Sequence, residues 1–290
     1  MIIAIILTIT ADILFAVSGV LQQGAASSID YVYNLKFKLI SKLFKSKKWF
    51  IGFVLSLFGY IVSFVALDFG SLVLVESLMI LNFLLALPLS NIVKKQKINV
   101  TELLYSFVTV CGLIIFLIVA NSKDMTKNYT ISKLILAVVI IGVISVFFTL
   151  LAVMAKSKNL RTFWLASSGS LMNTLLALEI KQAINNLDKS GHASEAFRFF
   201  DSVGIYLVIP TFVVALLIIQ SAFQTEKLSW SLPSINLINP VAATIVAVTI
   251  FGATIRNAWW ALALEVIGVI LVTFGIIKLS SDKTLVSGSA

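Results

Sequence analysis

Asp12, Glu76 and Glu265 are carboxylates that stand inside long apolar stretches of this sequence. An ionisable group in such a setting costs several kcal/mol, with estimates from about 2.5 upward, so it usually faces a cavity or a partner. Asp12 has Thr8 at i−4 on its own face, and together they suit a cation or proton site. Glu76 shares an arc with Met79 and Asn82. Each of the three carboxylates is a candidate cation ligand, and Glu76 and Glu265 could equally reach the headgroup region.

Amide and hydroxyl groups make two further constellations. Ser167, Ser170, Asn173, Thr174 and Lys181 recur at helical spacing and form one polar stripe, suited to lining a cavity or to close helix packing. Glu179 points away from that stripe, and both it and Lys181 are long enough to snorkel outward. Pro233 and Pro240 are separated by two helical turns and stack on one face. Each lacks an N–H, which leaves the carbonyls of Ser229 and Asn236 without their helical donors. Asn236 and Asn239 lie on the adjoining arc. Freed carbonyls with amides nearby can bind a polar solute or an ion, and a kink satisfied by neighbouring helices is the alternative. No HExxH or GxSxG arrangement occurs, so an enzyme is not expected. No phosphate-binding loop occurs either, which leaves ATP drive without support.

The elements that would position these groups are membrane-spanning helices. The 290 residues are 59% apolar and only 12% charged, with mean hydropathy +1.05. A soluble domain carries roughly 25% charged residues. Nine continuous runs are each long enough to cross a core of about 30 Å as helix. They cover 2–22, 49–69, 71–90, 103–121, 134–155, 164–185, 204–222, 230–251 and 258–278. The fold class expected is therefore an all-α polytopic bundle. The first run has no basic residue before it and holds Asp12, so it reads as an uncleaved span rather than a secretory signal.

Charge alternates between the gaps. Fifteen Lys and Arg side chains fall on one side and six on the other, with Lys181 inside a span. The positive-inside rule then puts the N-terminus outside and the C-terminus in the cytoplasm of a plasma membrane. With the charges used this way, a nucleic-acid partner is not expected. Between the first two spans, Tyr33, Phe37, Ile40 and Phe44 recur at helical spacing opposite Lys38, Lys42 and Lys45. That pattern fits an interfacial helix on anionic lipid or an ordinary basic loop. The single Cys111 excludes a disulfide framework, and His192 and the sequon Asn128-Tyr129-Thr130 lie in polar gaps.

Self-comparison aligns spans 2–4 with spans 7–9 at one constant offset, placing Leu67 on Phe223, Leu72 on Leu228, Gly112 on Gly268 and Ile114 on Ile270. Paired spans are five apart and cross in opposite directions, which is an inverted-topology repeat. Such repeats build many secondary transporters, with the substrate site near the midplane. The division expected is 1–133 for a four-helix first repeat and 134–290 for a five-helix second.

These residues resemble the drug/metabolite transporter superfamily, in particular its EamA-like members and its NIPA-like magnesium transporter branch. The resemblance is carried by Gly19–Gln23, by the stretch from Trp49–Gly52 to Leu87–Leu89, by Gln220–Gln224, by Ser231–Pro233 and by Asn239-Pro240. It implies alternating access for a small polar or cationic solute, no resident cofactor, and a proton or magnesium as possible coupling ion. The candidate solute-site residues are then Asp12, Glu76, Asn82, Ser170, Asn173, Asn236 and Asn239 from the polar pattern, with Gln220 from the resembling motif. In the magnesium branch, Asp12, Glu76 and Glu265 would be the ligands. Partners would be lipids and the solute, with oligomeric state open. A membrane scaffold or lipid-binding subunit is the expectation from another class. Ten-span members have five helices per half, and the basic gap stands where the second helix of the first half would be. Ser77 stands where Pro233 has its counterpart.

Overall fold

Long apolar runs without water to satisfy their backbone must satisfy it internally, and a helix does this residue by residue. The computed structural model describes residues 2–70, 74–75, 78–93, 100–119, 131–187, 203–225, 228–249 and 259–281. Its long helices are α1 (Ile2–Ala26), α3 (Lys47–Phe69), α4 (Ile80–Val93), α5 (Val100–Val119), α6 (Ile131–Met154), α7 (Lys158–Leu187), α8 (Val203–Thr225), α9 (Leu228–Thr249) and α10 (Trp259–Ser281). A 3-10 turn (Tyr31–Tyr33) and the short helix α2 (Phe37–Leu43) lie between α1 and α3. There is no strand among the described residues. Among the described residues, four helices are long and apolar enough to cross a membrane, over Ile2–Ala26, Lys47–Phe69, Ile131–Met154 and Gly204–Gln224. The protein is an all-helical, membrane-embedded one.

Exposure follows the same logic. α6 turns Ile135, Leu136, Val139, Val143, Val146 and Leu150 outward, each about half exposed or more. Lipid is the solvent that suits such a surface. Its inner face carries Ser145, whose hydroxyl lies 2.7 Å from that of Ser168 on α7, with Thr149 Oγ1 2.9 Å from the same atom. Hydroxyl pairs of this kind hold helices together where apolar burial cannot discriminate helix from lipid.

The helices pair in register. α1 packs along α3 and α4, and α7 packs along α8 and α9. α5 pairs with α10, and α6 lies on α7. The offset that carries Leu67 onto Phe223 carries both ends of α3 onto both ends of α8. It also carries the start of α1 onto the start of α7, and the end of α4 onto the end of α9. One offset thus relates helix ends in three pairs of helices.

The basic gap is folded onto the bundle. Leu39 and Leu43 of α2 are fully buried, whereas Phe37 and Phe44 are exposed. The buried edge of this segment is thus set one position away from the expected Phe37/Phe44 stripe, because α2 docks on α8. Lys42 Nζ sits 3.7 Å from the centre of the Tyr33 ring, and Lys38 Nζ 5.5 Å from it. The hydrogen bond from Lys42, then the charges of Lys42 and Lys38, hold the Tyr33 phenol below its usual range. Burial pushes the Tyr31 phenol up, with the Arg161 charge opposing. Lys42→Met is expected to move one tyrosine's ionisation upward in an ultraviolet pH titration; an unchanged titration would show that Lys42 does not act on Tyr33.

Candidate functional site

A cavity of about 1030 Å³, its open mouth included, lies between the paired helices. α1 contributes Phe15, Ser18, Gly19 and Gln22, one face at helical spacing. α3 contributes Ser56, Tyr60, Ser63, Phe64 and Leu67. From α8 come Phe212, Ala215, Leu216, Ile219, Gln220 and Phe223. All of these but Ala215 are the α3 positions carried over by the repeat offset, taken in order. Met79 and Asn82 at the start of α4, Asn173, Leu176 and Ala177 of α7, and Ile235 and Asn239 of α9 complete the wall.

The rings pack on one another. Phe15 meets Tyr60 edge-to-face at 5.0 Å, and Tyr60 meets Phe212 in the same manner at 5.8 Å. This geometry suits the ring quadrupoles and fixes the apolar side of the cavity.

The polar groups divide into committed and uncommitted ones. Asn239 Oδ1 accepts from Thr174 Oγ1 at 2.7 Å, and Ser170 donates to the Ile235 carbonyl at 2.8 Å. The stripe expected to line the cavity thus serves in part to clamp α7 to α9. Gln22 and Gln220 bond each other across the cavity; Gln220 Oε1 also accepts from Trp49 Nε1 at 2.9 Å, and Gln22 Nε2 donates to Ser18 Oγ at 2.6 Å. By contrast, Asn173 has one bond, accepted from the Tyr60 hydroxyl at 3.3 Å. Asn82 Oδ1 is buried and has no hydrogen-bond partner.

Beyond Gln220 a second polar layer closes the lysine-rich end. Asn34 Nδ2 donates to the Ser221 carbonyl at 2.9 Å and to Gln224 Oε1 at 3.2 Å, and Asn34 Oδ1 accepts from Arg161 at 3.1 Å. Gln224 Nε2 donates to the carbonyls of Ile29 and Asp30. Leu35 N donates to Ser221 Oγ at 3.0 Å. Leu35 has φ 57°, a left-handed conformation that a bulky L residue adopts at a cost of about 1–2 kcal/mol. Docking on α8 holds it there. The fully buried Trp49 fills the space between the two layers.

Of the sequence candidates, the cavity brings together Asn82, Asn173, Gln220 and Asn239, with Ser170 directly behind. Asp12 is fully buried but is not among the lining residues; it lies nearly one turn before Phe15 on α1. Glu265 is buried on α10, away from the lining, with Oε1 lacking a hydrogen-bond partner. Glu76 and Ser77 lie outside the described residues, as do Asn128–Thr130 and His192. α9 runs as unbroken helix through positions 233 and 240. The expected helix break is therefore not an interruption, and the side chains of Pro233, Asn236 and Pro240 lie outside the described set.

The outward snorkelling expected of Glu179 and Lys181 is corrected by their burial. Lys181 Nζ donates to the carbonyls of Leu67 and Gly70, satisfying the end of α3, where helical carbonyls have no intrahelical donor. Glu179 Oε1 accepts from Thr211 Oγ1 at 2.8 Å, and Oε2 has no hydrogen-bond partner. In apolar surroundings a polar atom seeks whatever donor or acceptor is nearest, and packing sets that choice rather than side-chain length.

Sequence reasoning gave no site role to Gln22, Ser56, Tyr60 or Ser63. The last three recur at i, i+4 and i+7, a polar line on α3 that periodicity alone could have shown.

An uncharacterized protein of Corynebacterium glutamicum is 22% identical to this chain over 247 residues, covering 83% of this chain and 82% of that protein. No family model matches the chain. No solved structure matches it.

Proposed function

We propose that this chain is a secondary transporter of the drug/metabolite transporter type, moving a small polar or cationic solute by alternating access between two inverted repeats. The observation that carries this reading is the cavity wall. Every lining position of α3 recurs as a lining position of α8 under one offset, so each repeat gives the same face of the same helix to one cavity. A midplane site between inverted repeats has this construction.

The α5–α10 crossing supports the same reading. A Cβ on Gly112 would lie 2.8 Å from the Gly268 carbonyl, and a Cβ on Gly268 would lie 2.9 Å from the Gly112 carbonyl. Equivalent residues meet where a pseudo-two-fold axis would pass. In this reading the repeat helices are α1, α3, α4 and α5 against α7, α8, α9 and α10, and α6 is the helix without a counterpart. The basic segment then replaces no helix; its counterpart is the polar gap after α7. The lysine-rich end faces the cytoplasm by the positive-inside rule. Asp12 and Glu265 lie off the described cavity lining, and Glu76 lies outside the described residues.

Reconstituted into liposomes, the protein is expected to give saturable exchange of at least one solute from a panel of amines, amides and small metabolites. Phe212→Trp, which fills the cavity, is expected to reduce that exchange at least tenfold without unfolding the protein. Folded protein that exchanges no member of the panel would overturn the reading.

A further inference from the structure

Among the described residues the cavity holds five amides, and they are not equivalent. Gln22 and Gln220 bond each other, and Gln220 also takes the Trp49 N–H. Asn239 is held by Thr174. These three are satisfied by the protein and hold helices together. Asn82 and Asn173 differ. Asn82 Oδ1, on α4, is buried without a hydrogen-bond partner. Asn173, on α7, uses only its oxygen, in a long contact with Tyr60. A buried polar atom without a partner is rare and calls for an explanation. Rotation about the last side-chain torsion lets either end of the Asn82 amide face the cavity, since the two ends are nearly the same shape.

The remainder of the described wall is rings, small hydroxyls and aliphatic side chains. Phe15, Tyr60, Phe64 and Phe212 line one side. Phe15, Phe212 and Phe64 all lie against the Tyr60 ring, which leaves ring edges and partial faces for a planar solute. No Asp, Glu, Lys, Arg or His stands among the described lining residues. An ion held by these described residues alone would lose its water and gain no counter-charge, whereas an uncharged amide would exchange water for amide hydrogen bonds.

We infer that this cavity is a binding site for an uncharged, planar solute carrying a hydrogen-bond donor beside an acceptor, read by Asn82 and Asn173 and stacked against the Tyr60 cluster. The inference deepens the transporter reading by naming the class of its solute. It depends on the cavity and not on movement of the solute.

Binding therefore tests it separately from flux. Purified protein in lipid nanodiscs is titrated with tritiated nicotinamide, nicotinate, N1-methylnicotinamide and N,N-dimethylnicotinamide. The first is an uncharged primary amide, the next two carry one negative and one positive charge, and the last lacks the amide N–H. A larger-ring pair, indole-3-acetamide and indole-3-acetate, is run alongside. The primary amides are expected to bind at least tenfold more tightly than the charged or methylated relatives of the same ring. Asn82→Leu and Asn173→Leu are each expected to cut amide binding tenfold or more, with unliganded unfolding temperatures near that of the unsubstituted protein. The ligand series on the unsubstituted protein decides the matter even where a variant folds poorly. A charged or dimethylated relative that binds as tightly as its primary amide overturns the inference, and so does the absence of binding by either primary amide. Neither result bears on exchange in liposomes, which tests the transporter reading by itself.

Discussion

With Cys111 changed to Ser and one cysteine placed at Ser63, Asn34→Ala is expected to raise the labelling rate of that cysteine at least tenfold. The reagent is a membrane-impermeant maleimide supplied from the lysine-rich end. Ser63 is buried on the cavity wall, and Cys111 is the chain's single cysteine. Asn34 ties the basic segment to α8 and α7 through three hydrogen bonds, one of them to the Arg161 cation. Neutral bonds contribute about 0.5–1.5 kcal/mol each and bonds to charged groups about 1.5–3. Half of that sum is already about tenfold in an opening equilibrium. The strain at Leu35 adds to the effect, because undocking lets that residue leave the left-handed region.

The inner layer gives a second arm. Gln220→Leu strips Trp49 Nε1 and Gln22 Oε1 of a shared partner, and each stranded buried atom costs about 1–3 kcal/mol. Combined with Asn34→Ala, it is expected to open the end further than either change alone. Thr10→Ala is the control, since its hydroxyl bonds only its own helix at Ile6. Equal labelling with and without the Asn34→Ala change would show that the docked segment does not close the cavity.

Much of the helical fold was legible because length and continuous apolarity have few other outcomes in lipid. One constant offset was legible too: the shift read from the sequence carries both ends of α3 onto both ends of α8. The site was harder. Carboxylates drew attention because their burial is costly, yet cost says only that a side chain needs a partner, not that the partner is a solute. Asp12 and Glu265 found burial off the cavity. Asn173 and Asn82 were found because they lay on arcs with other polar groups. Ser170 and Thr174 lay on the same arc and proved to be clamps on α9, a distinction that needs the neighbouring helix in place. Gln22 stood within the Gly19–Gln23 motif and was passed over. A lone amide in an apolar run reveals its role only when Gln220 is placed opposite it.

The second large effect is expected at the α5–α10 crossing, and its value lies in how two substitutions combine. At Gly112 an added Cβ would meet the Gly268 carbonyl at 2.8 Å and Val272 N at 2.8 Å. At Gly268 it would meet the Gly112 carbonyl at 2.9 Å and Phe116 N at 3.0 Å. Every one of these atoms is backbone, so no rotamer change relieves the contact; the helices must separate. Gly112→Ala and Gly268→Ala are each expected to destabilise the protein by about 1–3 kcal/mol, the usual range for overpacking. One separation relieves both clashes. The double variant is therefore expected to lose at least about 1 kcal/mol less than the two single losses added together, in the range of coupling seen between residues in contact. Gly142→Ala is the contrasting case: nothing lies within 4 Å of its Cβ, and better helix propensity favours a gain of up to about 1 kcal/mol. Unfolding in mixed micelles measures all four variants. Val272 stands at the same constant offset from Phe116 as Gly268 from Gly112, so in the proposed reading the contact maps onto itself. Strict additivity of the two alanines would mean that the glycines act at separate contacts, and the crossing would then lend no support to an axis between the repeats.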